Sequence, residues 1–112
     1  MTATERDQLL IEHMLECIGR IEKYAGGDRE SFFASELIQD AVVRNLQTMA
    51  ESSQRLSAGG KESRPEIDWR AISGFRNILV HDYLGLDLKL IWLVVEKELP
   101  AVRRALEALR DA

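Results

Sequence analysis

The stretch Leu9-Leu10-Ile11-Glu12-His13-Met14-Leu15-Glu16-Cys17-Ile18-Gly19-Arg20-Ile21-Glu22-Lys23-Tyr24-Ala25-Gly26-Gly27-Asp28 decides the fold class. Leu10, Met14, Cys17, Ile18, Ile21 and Ala25 recur at steps of three and four, which is the repeat of one helix face. Gly26-Gly27-Asp28 then supplies a stop and a turn, so the spacing predicts a first helix of about 20 residues. Within that stripe Cys17 reads as a small buried hydrophobe, and His13, between Glu12 and Glu16, as a solvated face residue.

Three further segments carry the same period. Leu37, Ile38, Ala41, Val42, Leu46, Met49 and Leu56 form a second stripe, shared by Asn45 and Ser53, with Ser31 or Ser35 as its N-cap. The run Ser57 to Pro65 is loop-like, is expected to be the most flexible segment, and separates two halves of the chain. Asp68 caps a third helix with Ile72, Phe75 and Leu79 inward, ending near Tyr83 to Gly85. Asp87 caps a fourth that carries Leu88, Ile91, Trp92, Val95, Leu99, Val102, Leu106 and Leu109 on one side, and Pro100 forces a kink or a restart inside it. Trp69 and Trp92 stand among aliphatics and read as core. No stretch alternates in the manner of a strand. The expectation is a single all-α domain over residues 1–112, an antiparallel up-and-down four-helix bundle with a kinked last helix.

Composition narrows what such a bundle does. With 46% apolar and 30% charged residues among 112, the chain has the balance of a globular domain. A net charge of −4 argues against bulk attraction to nucleic acid, so any contact with a polyanion must be local. One cysteine excludes an intramolecular disulfide, and with only His13 and His81 as imidazoles no zinc-ligand set is legible. Metal dependence would have to rest on carboxylates alone, and no cofactor is expected. The longest apolar run, Leu90 to Val95, is short for a membrane span, and the N-terminus lacks a basic-then-apolar leader; both point to a cytoplasmic protein.

The octapeptide Arg76-Asn77-Ile78-Leu79-Val80-His81-Asp82-Tyr83 breaks the pattern of a plain bundle. Arg76 lies about 40° from Ile72 on a helical wheel and intrudes on the apolar sector. A guanidinium there either meets a carboxylate, lines a cleft prepared for an anion, or packs its stem and turns its head to water. Asn77 and His81 are four apart and share a face, so the amide could orient the imidazole. Arg76 and His81, by contrast, are about 140° apart, and joint action requires the arginine to wrap round, the helix end to unwind, or a second subunit to contribute.

These residues resemble those of HEPN-domain proteins of the HepT type. The pattern is Arg, four residues, His, one residue, Tyr, matched by Arg76, His81 and Tyr83, with Asn77 after the arginine. Pro65-Glu66-Ile67-Asp68-Trp69 before it, and Gly85, Asp87, Ile91-Trp92 and Glu98-Leu99-Pro100 after it, extend the likeness over nearly the whole chain. The resemblance implies metal-independent RNA cleavage by a homodimer whose two motifs face one cleft. His81 would act as general acid or base, Arg76 would stabilise phosphate charge, and Asn77 would support them. It also implies the toxin half of a type VII toxin-antitoxin pair, whose partner, a minimal nucleotidyltransferase antitoxin, transfers AMP to Tyr83. The alternative is a non-catalytic nucleotide-binding or adaptor subunit of a nucleotidyltransferase.

Overall fold

Thr2 opens the first helix by accepting the N–H of Glu5 at 3.1 Å, and α1 then runs Ala3–Ala25. The computed structural model describes residues 2–81 and 85–112. Gly26 closes α1 with φ 59°, a left-handed conformation that an L side chain would strain, while its N–H bonds Glu22 O at 2.8 Å.

The second stripe is split. Asp28 accepts the Glu30 N–H at 3.0 Å and the Ser31 hydroxyl at 2.6 Å, and so starts a short α2, Arg29–Ala34. Ser31 is thus inside a helix and not its cap. Ser35 does cap the long α3, Glu36–Gln54, by accepting the Ile38 N–H at 3.2 Å. The break turns Phe32 fully inward, edge-on to Phe33 and 5.3 Å from the ring of Trp92. It also leaves Leu37, expected on the buried stripe, 80% exposed, because it falls on the first turn and points away from α1. The polar members of the stripe bond their own helix: Asn45 donates to Ala41 O at 2.9 Å and buried Ser53 to Ala50 O at 2.6 Å.

The segment expected to be loop contains a helix. Ser57 donates its N–H and hydroxyl to the two oxygens of Asp7 at 3.0 and 2.5 Å and caps α4, Ala58–Glu62, through the Gly60 N–H. A Cβ on Gly60 would come within 2.8 Å of Asp7 Oδ2, so glycine there lets the clamp close. Next, α5 spans Trp69–His81. Asp87 caps α6, Leu88–Leu93, by accepting the N–H groups of Lys89 and Leu90. Pro100 restarts the last helix, standing in the first turn of its second part. A π-helical turn, Val94–Glu98, passes into α7, Leu99–Arg110, with right-handed dihedrals on both sides and the Leu99 N–H bonded to Val94 O. In the first turn of α7 the missing proline N–H costs least, since that position has no intrahelical acceptor to satisfy.

Long helices adjacent in sequence are adjacent in space at two junctions, α1 on α3 and α3 on α5, and α7 returns to α1. That is the expected up-and-down bundle. Its core holds Met14, Cys17, Ile18, Ile21, Phe32, Val42, Leu46, Ile91 and Leu106, all almost fully buried, and Arg103 on α7 pairs with Glu22 on α1. Burial pushes the Cys17 thiol up, against a smaller opposing pull from Arg20, which keeps it an unreactive core group. Trp92 is core as expected, whereas Trp69 is half-buried. Among the described residues no strand forms, and no helix is long and apolar enough to cross a membrane.

Candidate active site

The motif helix α5 is fastened at its start. Asp68 accepts the Ala71 N–H at 2.9 Å, and the Trp69 indole donates to Lys61 O at 3.0 Å and Arg64 O at 3.2 Å, anchoring α5 to the end of α4. Of its three expected inward residues only Leu79 is fully buried; Ile72 and Phe75 are half-buried. Between α5 and α7, over a floor of Leu46 and Met49, an apolar cavity of about 450 Å³ is lined by Ile72, Phe75, Leu99 and Val102.

Arg76 combines two of the arrangements open to it. Its side chain is 28% exposed, and Nη2 donates to Glu51 Oε1 of α3 at 3.4 Å. The same oxygen accepts from Gln47 Nε2 at 3.0 Å, while Arg76 Nη1 donates to Asn77 Oδ1 at 3.4 Å. Arg76 Nε is buried and, among the described residues, has no hydrogen-bond partner. A carboxylate thus meets the guanidinium, but at the half-exposed rim of the bundle and through one long contact. That geometry leaves N–H groups free for an incoming anion and costs little to rearrange.

Glu51 is the residue that spacing could not supply. It stands four residues after Gln47 on α3, which makes their bond legible, but its pairing with Arg76 across 25 positions depends on how α3 meets α5.

Asn77 and His81 share an exposed face as expected. The Asn77 amide oxygen is directed to Arg76 and, among the described residues, makes no bond to the imidazole, because the neighbouring guanidinium is the stronger donor. The helix stays regular through His81, so unwinding does not join Arg76 to His81 within one chain. Tyr83 lies outside the described residues. His13 is half-buried, its Nε2 3.9 Å from Cys17 Sγ, and not the fully solvated residue expected; it faces the seam between α1 and α3. Among the described residues no group of three or more His, Cys, Asp or Glu side chains gathers around a possible metal position.

The helical topology and the matching family model place the chain in the class of HEPN-like bundles. Within that class it belongs to the HepT-like ribonuclease family, whose model, "Ribonuclease HepT-like", matches residues 14–109. It is 32% identical over 111 residues to "Probable ribonuclease HepT" of Thermococcus cleftensis, a match spanning 98% of this chain and 99% of that one. A Caldanaerobacter subterraneus protein named "Putative RNase" is 30% identical over 100 residues, 88% of this chain and 89% of its own. A Methanocaldococcus jannaschii protein named "Gamma-glutamylcyclotransferase and putative RNase" is 35% identical over 97 residues; the match covers 86% of this chain but 44% of that longer protein. No solved structure matches the chain significantly.

Proposed function

We propose that the chain is a metal-independent endoribonuclease acting as a homodimer, the toxin of a type VII toxin-antitoxin pair. The observation that carries this is the placement of Arg76, whose head is held at the bundle rim by Glu51, on the same regular helix that carries His81 into the open. An RNA phosphate seated on Arg76 of one protomer meets the imidazole of the other, which removes the angular separation between the two groups within a chain. His81 takes the proton of the ribose 2′-hydroxyl, the 2′-oxygen attacks phosphorus, and the 5′-oxygen leaves with a proton from the partner's His81. Arg76 stabilises the charge that builds on the non-bridging oxygens, and Asn77 holds the guanidinium in place.

Neutralisation follows at Tyr83, two residues after His81. Its hydroxyl attacks the α-phosphorus of ATP on a cognate nucleotidyltransferase antitoxin, pyrophosphate departs, and the AMP left on the ring adds negative charge and bulk where RNA phosphate must sit. Purified chain should cleave RNA in EDTA, and His81→Ala should abolish this while melting normally. Intact RNA from the wild type across several substrates would sink the nuclease reading. Intact mass after co-expression with the partner should show AMP additions that vanish in Tyr83→Phe.

A further inference from the structure

A second cleft adjoins Arg76. Between α1 and α3 a concavity of about 520 Å³ is lined by Arg6, His13, Thr48, Glu51, Ser52 and Arg55. Its one carboxylate, Glu51, is the group already bonded to Arg76 and Gln47, so the cleft and the Arg76 head share a wall. Among the described residues neither Arg6 nor Arg55 makes an ion pair, as is also true of Arg29, Arg44, Arg70 and Arg104, but Arg6 and Arg55 alone of these line the cleft beside Arg76. Two guanidinium groups that make no ion pair among the described residues, an imidazole and the side chains of Thr48 and Ser52 thus line one cleft beside Arg76 in a chain of net charge −4. Leu9, 54% exposed, adds an aliphatic surface at the same mouth.

We infer that this cleft is an RNA-binding subsite in which Arg6 and Arg55 hold phosphates of the strand next to the scissile position on Arg76. The inference rests on the nuclease function proposed above and specifies how its substrate is held. An acidic protein cannot retain a polyanion through its mean field, so the cations that bind RNA must be concentrated and unpaired; this cleft meets both conditions. Guanidinium groups suit the task because they contact phosphate oxygens in a bidentate manner. The half-buried ring of His13 and the Thr48 hydroxyl, which donates to Arg44 O and keeps its lone pairs, offer partners to a ribose 2′-hydroxyl, the group that separates RNA from DNA. Leu9 offers a base or sugar an apolar face.

Steady-state cleavage of a single-stranded RNA oligonucleotide across a salt series tests this. Arg6→Ala and Arg55→Ala should each raise KM by about threefold to tenfold with kcat little changed, and each should lower the salt slope of log(kcat/KM) by about 0.7. Arg104→Ala, which removes an exposed cation of α7 outside the cleft, should leave both unchanged. Wild type that cleaves RNA, with both cleft variants keeping KM and slope or Arg104→Ala changing them equally, overturns this inference and spares the nuclease. If the wild type cleaves nothing, fluorescence anisotropy of the same oligonucleotide reads the cleft alone: weaker binding in Arg6→Ala and Arg55→Ala supports it, and unchanged binding overturns it.

Discussion

The α1–α3 seam and the α5–α7 flank are built differently. Seven residues of α1 are buried, Leu10, Ile11, Met14, Cys17, Ile18, Ile21 and Ala25, and α3 meets them with Val42, Leu46 and Met49. The motif helix α5 buries only Leu79, and a cavity separates Ile72 and Phe75 from α7. One seam is a packed scaffold. The other side is a helix that packs on α3 through Leu79, Ile72 and Phe75 and is fastened at its first turn, with its polar groups toward solvent. The lesson is that the deepest packing and the exposed candidate residues lie on different helices, so that each can be altered with little effect on the other.

The strongest test of that division is His81→Ala. The imidazole is exposed and outside the core, so kcat should fall by about 10²- to 10⁴-fold while stability changes by no more than about 0.5 kcal/mol. A large drop in melting temperature would mean that the end of α5 is structural. Next in size is a pair of truncations read by urea unfolding. Ile18→Ala, in the scaffold and fully buried, should cost about 2–5 kcal/mol, and Ile72→Ala, half-buried beside the cavity, about 1 kcal/mol. Equal costs would erase the contrast between the two sides.

Trp69→Phe probes how α5 is fastened. It keeps the ring but removes the indole donor to Lys61 O and Arg64 O, and should cost about 1 kcal/mol. Amide exchange should then accelerate in α5 and leave α1 unchanged. Glu51→Gln removes the charge facing Arg76, and since both side chains are partly exposed its effect on stability should stay under about 1 kcal/mol.

The smallest effect concerns pH. The Ser31 hydroxyl and N–H hold the Asp28 carboxyl below its ordinary value, so its contribution to stability is complete above the ordinary carboxyl range and fades as pH falls through the depressed folded value. Asp28→Asn keeps a cap acceptor that does not titrate. Any advantage of wild type over this variant in thermal melts should therefore shrink as pH falls below the ordinary carboxyl value of about 4. A constant difference across that range would remove the carboxylate from the account.

Much of the fold was legible because helix periodicity and capping are local. The apolar spacing of α1, the caps at Ser35, Asp68 and Asp87, and the stop at Gly26 were all readable. The short helices were not. The α2 start at Asp28 competes with Ser31 within three residues, and Ser57 to Pro65 has the composition of a loop until Asp7 supplies the partner that orders it. The candidate residues were also legible, as was the angular mismatch between Arg76 and His81. Their surroundings depended on distant parts of the chain.

The sequence by itself determined that four amphipathic segments fold as an all-α bundle and that Arg76, Asn77 and His81 ride one helix, because those properties depend on residues a few positions apart. Only the tertiary structure decided that Glu51 meets Arg76, that Asp7 clamps Ser57 across 50 positions, and that Arg6, His13 and Arg55 line one cleft beside them. Such pairings depend on which helices pack and at what depth, and that is set by the summed burial of the core. No spacing rule along the chain encodes it.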